Sequence, residues 1–147
     1  MNELADLYQE VILDHNRKPR NFKKLPAATH EANGHNPLCG DRITVALDIQ
    51  DGVIADIGFQ GAGCAISTAS ASLMTEALKG RRVADALSLF AGFRELVTGG
   101  VTDQELGKLE VFSGVSEYPA RVKCATLCWH TVASALGEHG QDVVTTE

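Results

Sequence analysis

The sequence predicts an α+β fold in which a small antiparallel sheet of about three strands carries helices on one face. Two segments of alternating apolar and polar residues flank an Asp-Gly pair, which is the pattern of a β-hairpin. Other segments repeat apolar residues at the spacing of an amphipathic helix. The 147 residues are predicted to form a single domain, because a chain of this length buries roughly 68–70% of its unfolded surface.

The first helix is predicted over residues 3–15, where the apolar positions follow the i, i+3, i+4, i+7 spacing. These apolar residues are Leu4, Leu7, Tyr8, Val11 and Ile12. A connection rich in Pro and Asn then leads to about residue 38. The hairpin follows, with one strand over 41–50, a turn at Asp51-Gly52 and a second strand over 53–59.

Three further helices are predicted after the hairpin. A Gly-rich bend at 61–63 leads into a helix rich in Ala and Ser that ends at Gly80. The next helix fits residues 82–97. The last begins at Pro119, a residue that is tolerated in the first turn, and runs to about Leu136.

Two parts of the chain carry weaker patterns. Residues 98–118 are predicted to be an irregular, mobile insert with about one helical turn around 103–109. Residues 140–147 are predicted to be a disordered tail. The sequence shows no internal repeat and no domain boundary, so the whole range 1–147 is predicted as one unit.

Composition limits the classes of partner. With 13 basic and 19 acidic residues the net charge is −6, which argues against nucleic acid because phosphate binding needs a basic surface. The N-terminus lacks the apolar run of a signal peptide, and no stretch approaches 18 apolar residues, so no membrane span is predicted. The expected location is the cytoplasm, where thiols stay reduced.

The four cysteines are the residues that carry chemistry, and they are Cys39, Cys64, Cys124 and Cys128. Cys39 shares a Pro/Gly turn with Asp41, so the thiol and the carboxylate can converge on one metal ion. Cys64 is predicted at a helix N-terminus, and Cys124 has basic neighbours, and both settings favour a thiolate. These features predict a thiolate-rich metal site.

Spacing alone leaves alternatives open. The first three cysteines are 25 and 60 residues apart, with no Cys-x-x-Cys pair, so neither a zinc finger nor a thioredoxin-type motif is indicated. A single free cysteine is most often a small buried hydrophobic residue, which is the interpretation that we favour for Cys128. Asp41 could instead be a turn former or a cap.

Three segments resemble the cysteine motifs of iron–sulfur cluster assembly proteins, the family that includes IscU and SufU. They are "NPLCGD" at 36–41, "GAGCAISTASASLM" at 61–74 and "RVKCATLCW" at 121–129. The resemblance extends over nearly the whole chain. It implies an IscU-like α+β fold and the metal ligands Cys39, Asp41, Cys64 and Cys124.

The same resemblance favours the SufU branch. Lys123 stands where the scaffold branch has a His, and "YPARVK" replaces a Pro-Pro-Val-Lys segment. By resemblance the site holds Zn²⁺, Cys39 accepts persulfide sulfur from a SufS-like cysteine desulfurase, and downstream iron–sulfur scaffold or acceptor proteins receive it. Arg121 would help to hold the bound group by bridging to Asp41. Cys128 is a departure from the family, in which a small apolar residue is commoner.

Two other functions remain open at this point. The first is a scaffold that assembles a [2Fe–2S] cluster on the same residues, which visible absorption would distinguish from zinc. The second is a zinc-stabilised interaction module without sulfur chemistry, in which Cys39 could be replaced without loss of any turnover. A metallohydrolase is disfavoured because the sequence places no general base.

Overall fold

The structure is a computed structural model that describes residues 3–37, 40–102, 104–137 and 143–145 of the chain. Helices pack on one face of a four-stranded sheet. The elements are α1 (Glu3–Arg17), β1 (His30–Asn36), β2 (Asp41–Gln50), β3 (Val53–Ala62), α2 (Ala65–Leu78), α3 (Val83–Val97), a 3₁₀ helix (Gly107–Glu117), α4 (Pro119–Leu136) and β4 (Val143–Thr145).

The sheet has the strand order β3-β2-β1-β4. The first three strands are antiparallel, which confirms the predicted α+β class, and β4 adds to the free edge of β1 in parallel. Alternation along β2 and β3 directs Val45, Leu47 and Ile57 into the core, where each is fully buried. The sheet therefore presents one apolar face to the helices.

The hairpin has the predicted turn. Asp51 and Gly52 have φ values of 52° and 76°, the left-handed pair that a type I′ turn requires. Strand β3 runs to Ala62, beyond the predicted end at residue 59, because its last residues continue to pair with the start of β2.

Strand β1 was not located from the sequence. Its residues, HEANGHN, bury Ala32 as their only hydrophobic side chain, so the alternation was too weak to recognise. Gly34 explains the close packing at this strand, since a Cβ there would collide with the side chain of Thr131 on α4. Helix α4 consequently lies directly on β1.

The segment after α3 corrects a prediction. A mobile insert with one helical turn around 103–109 was expected, whereas the structure has a 3₁₀ helix over Gly107–Glu117. Its apolar side chains join the core and are Leu109, Val111, Phe112 and Val115. Phe112 meets Phe93 of α3 with ring centroids 5.8 Å apart, so tertiary contact fixes this helix more than local propensity.

The C-terminal segment differs in part from the predicted disordered tail, because residues 143–145 form β4. The remainder of 140–147 lies outside the described residues. None of the helices in the described part of the chain is long and apolar enough to cross a membrane. That 98–118 is an insert, and that the chain is a single domain, remain predictions.

Candidate metal centre

Three side chains with metal-binding atoms converge at one end of the sheet. Asp41, Cys64 and Cys124 each offer one ligand atom, and these atoms all lie within 4.8 Å of one another. They come from the start of β2, the residue before α2 and the second turn of α4. The sequence separates these residues widely, so the tertiary fold creates the site.

Asp41 is fully buried because its position in β2 shares the core-facing side with Ile43 and Val45. Its Oδ1 accepts a hydrogen bond of 2.9 Å from the backbone N–H of Cys64, and its Oδ2 lies 3.9 Å from the Cys64 thiol. The carboxylate is therefore held by the chain segment that carries the neighbouring cysteine.

Gly63 allows this approach. A Cβ at position 63 would stand 2.6 Å from Asp41 Oδ1, closer than such atoms come in proteins. The Gly-rich bend thus lets the backbone that leads into α2 pass against the carboxylate.

Cys64 is the N-cap of α2 and is half-buried. Its Sγ accepts from the backbone N–H of Ser67 at 3.4 Å, the role that a Ser or Asp side chain usually has at a helix start. The unpaired N–H groups and the dipole at this end of the helix favour a negatively charged ligand atom. Local structure therefore fixes the Cys64 thiol at the start of α2.

Cys124 is only 2% exposed. The side-chain amide of Asn36, which is also fully buried, directs its Nδ2 to Cys124 Sγ at 4.0 Å. Burial of a thiol beside a carboxylate and an amide is unusual for a purely apolar core position. The arrangement is what a ligand shell requires.

This donor set fits a single metal ion. Two ligand atoms about 2.3 Å from a tetrahedral ion lie about 3.8 Å apart. Cys64 Sγ and Asp41 Oδ2 are 3.9 Å apart, and all three ligand atoms lie within 4.8 Å of one another. Thiolates with one carboxylate suit a borderline-soft ion such as zinc or iron.

The remaining predicted ligand, Cys39, lies outside the described residues. Pro37 and Gly40 on either side are exposed, and Gly40 has a φ of 73°. The assignment of Cys39 as a ligand remains a prediction.

Arg121 is exposed, and no ion pair within the described ranges joins it to Asp41. It instead lines a groove of about 720 Å³ beside the site, together with Tyr8, Ile66 and Tyr118. The predicted role of Arg121 in holding the bound group therefore remains a prediction.

Cys128 is not part of the cluster formed by Asp41, Cys64 and Cys124. It is 1% exposed, and burial raises the pKa of its thiol to about 12 although Ser70 Oγ lies 3.5 Å away. A neutral buried thiol agrees with the structural role that we favoured for it.

Asn36, which contacts Cys124, was not predicted from the sequence as part of the site. It stands at the start of the "NPLCGD" segment, but an Asn before a Pro is an ordinary turn residue. Only the position of β1 shows that its side chain faces inward, since the buried positions of this strand are 32, 34 and 36.

Comparison with known proteins agrees with this geometry. Residues 7–125 match the family described as the NifU-like N terminal domain. The zinc-dependent sulfurtransferase SufU of Bacillus subtilis is 40% identical over 137 residues, which are 92% of this chain and 92% of that protein. The iron–sulfur cluster assembly scaffold protein IscU of Thermotoga maritima is 42% identical over 131 residues, covering 88% and 92%.

The fold has solved counterparts as well. A crystal structure of a candidate iron–sulfur cluster assembly scaffold of the SUF system from Fervidobacterium islandicum superposes with a TM-score of 0.85. The two chains are 33% identical, and the match covers 90% of this chain and 98% of the other.

Proposed function

We propose a sulfur-relay function for this chain, which belongs to the NifU-like N-terminal domain family of iron–sulfur cluster assembly proteins. In this proposal the chain is a zinc-dependent sulfurtransferase, as the relative from Bacillus subtilis is named. It accepts persulfide sulfur from a cysteine desulfurase and passes it to an iron–sulfur scaffold or acceptor protein. The proposed ligands are Cys39, Asp41, Cys64 and Cys124.

The observation that carries the proposal is the convergence of the ligand atoms of Asp41, Cys64 and Cys124 within 4.8 Å of one another. Cys39 stands two residues before Asp41 in the sequence. Bound zinc would keep these thiols deprotonated at neutral pH without redox chemistry of its own. The transfer of sulfur from the desulfurase to Cys39 is a thiol–persulfide exchange and needs no oxidant. The Cys39 thiolate attacks the outer sulfur of the desulfurase persulfide, and the desulfurase cysteine leaves as a thiolate.

The three described candidate ligands are all held in place by local structure. Cys64 is a helix N-cap, Cys124 is buried within a helix, and Asp41 is buried and hydrogen-bonded. Moving any of these side chains would disturb packing. In the sequence Cys39 belongs to a Pro/Gly segment between two strands, the kind of loop that often carries functional groups, so we assign the sulfur-accepting role to Cys39.

Replacement of Cys39 by Ser tests this assignment. The variant should stay folded and bind a cognate desulfurase, but it should no longer stimulate sulfide release in the presence of reductant. Mass spectrometry should find the persulfide adduct on Cys39 of the parent protein. Cys128→Ser is the control and should behave like the parent, because the Cys128 thiol is neutral and buried.

Two results would contradict the relay. Full stimulation by the Cys39→Ser protein would favour a zinc-stabilised interaction module, and persulfide appearing first on Cys128 would change the acceptor.

The alternative function is a scaffold for a [2Fe–2S] cluster, favoured by the name of the Thermotoga maritima relative. The same thiolates and carboxylate would serve as ligands. Protein purified without oxygen and analysed for metal distinguishes the two, because a cluster absorbs visible light and zinc does not. Stoichiometric iron and sulfide in that sample would favour the scaffold.

A further inference from the structure

Each of the three described ligands faces an N–H donor. Asp41 Oδ1 accepts from the backbone of Cys64 at 2.9 Å, and Cys64 Sγ accepts from the backbone of Ser67 at 3.4 Å. Cys124 Sγ faces the side-chain amide of Asn36 at 4.0 Å. Among these three donors, only the last belongs to a side chain, so it can be removed by substitution.

Asn36 is also fixed by its backbone. Its carbonyl accepts a 2.9 Å hydrogen bond from Gly40 N–H, which closes the turn between β1 and β2. It is the register partner of Asp41 and is fully buried. Asn36 therefore contacts both Gly40 and the candidate ligand Cys124.

The charge of the proposed site explains why such a donor matters. Three thiolates and a carboxylate carry four negative charges against two on zinc, which leaves a net negative charge in a largely buried place. Hydrogen bonds from N–H groups compensate such charge and withdraw electron density from sulfur. A thiolate that receives one is a weaker nucleophile and a more persistent ligand.

We propose that Asn36 is a positioning residue whose amide keeps Cys124 as a permanent, unreactive ligand. This inference rests on the metal site of the proposed function, and in the relay it would direct ligand exchange away from Cys124 toward Cys39. The amide acts through Cys124 and takes no part in the transfer of sulfur.

Asn36→Asp is the most informative variant, because it keeps the shape of the side chain and removes the N–H donor. The matched control is Asn33→Asp on the same strand, which makes the same change in charge. Asn33 is exposed, and its Oδ1 accepts from Thr44 Oγ1 at 2.6 Å, a bond that an Asp can keep.

The measurements are made on the zinc-loaded full chain without any desulfurase. Competition with a chromophoric chelator gives the zinc affinity, and timed labelling with N-ethylmaleimide followed by peptide mass spectrometry gives the reactivity of each cysteine. For Asn36→Asp we expect a loss of zinc affinity of about 10- to 100-fold, as for other groups that support ligands. We also expect Cys124 labelling to rise more than Cys64 labelling, while Asn33→Asp stays at the parent level.

Equal zinc affinity and equal Cys124 labelling in the two variants would overturn the inference. If Asn36→Asp does not fold, Asn36→Ala provides the same comparison without added charge, against Asn33→Ala. These readouts are independent of sulfur transfer. A failed relay test with Cys39→Ser would therefore leave this result standing, and the reverse also holds.

Discussion

At the candidate metal centre, Gly63 matters as much as the proposed ligands because it has no side chain. Gly63 brings the backbone against Asp41, so that the next N–H can donate to the carboxylate. Its backbone has no left-handed φ, so its requirement is for space and not for conformation. A side chain at position 63 would therefore disturb the position of Asp41 without straining the backbone at residue 63.

We expect Gly63→Ala to weaken zinc binding by about 10- to 100-fold, because the new Cβ would displace the Asp41 carboxylate from its position. The measurement is chelator competition on the folded variant. Gly114→Ala is the control, since a Cβ there meets nothing within 4 Å, and its affinity should equal that of the parent. Parent-like affinity in a folded Gly63→Ala protein would show that the carboxylate is not needed in its present place.

The chemical nature of the site was more predictable than its surroundings. Cys64 and Cys124 were recognisable because a helix start and basic neighbours are local features, and the family resemblance grouped them with Asp41. The contribution of Asn36 was not predictable, because it depends on which face of a weakly patterned strand its side chain occupies. The ion pairs of the described residues do not include one between Arg121 and Asp41, and the role of Arg121 stays a prediction.

Among the elements, a buried polar contact joins α1 to α2. His15 Nδ1 lies 2.7 Å from Ser72 Oγ, which also accepts the backbone N–H of Arg20 at 2.8 Å. The Ser72 hydroxyl can then donate to Nδ1, which leaves the Nε2–H of a neutral His15 3.7 Å from Glu76. Burial, and secondarily the charge of Arg20, lower the pKa of His15 below its usual value.

A lowered pKa in the folded state gives a defined pH dependence. The unfolded chain binds a proton at His15 near pH 6.5, whereas the folded chain resists it until lower pH. The stabilising contribution is therefore complete above about pH 6.5 and is lost as pH falls through the folded pKa. We expect the free energy of unfolding, measured with denaturant, to decrease over this acidic range.

His15→Gln should flatten this part of the profile. His130 provides the comparison, because burial also lowers its pKa, and His130→Gln should keep the contribution of His15. An unchanged acid slope in His15→Gln would mean that the contact between α1 and α2 does not respond to pH.

The boundaries of helices could be predicted where a single periodic pattern of apolar residues spans the helix. Helix α4 has its predicted limits, and α1 extends two residues beyond its predicted end at residue 15, to Arg17. The failures were β1 and the 3₁₀ helix, because pairing with β2 and contacts with α3 determine them. Such contacts join residues that are far apart in the chain, so a short stretch of sequence does not contain both partners.

On the scale of the whole molecule, an aromatic cluster forms part of the core apart from the candidate metal ligands. Trp129 stacks on Phe93 with centroids 4.9 Å apart, and Phe112 packs against the same ring. All three side chains are at most 1% exposed. The fold should therefore survive without metal, unlike a zinc finger, in which the ion replaces a core.

Zinc should nevertheless raise the melting temperature, because its removal leaves the buried Asp41 and Cys124 without a compensating charge. Structural zinc contributes about 10–16 kcal/mol in small peptides, and a domain with its own core should lose much less. A loss of a few kcal/mol corresponds to a decrease of roughly 5–15 °C for a chain of this size.

Circular dichroism melting before and after chelation, with metal content verified, measures this decrease in melting temperature. Fluorescence of the single tryptophan, Trp129, should stay native-like at 25 °C after chelation. An unchanged melting curve, or unfolding at 25 °C on chelation, would each contradict a metal centre that is stabilising but not required for the fold.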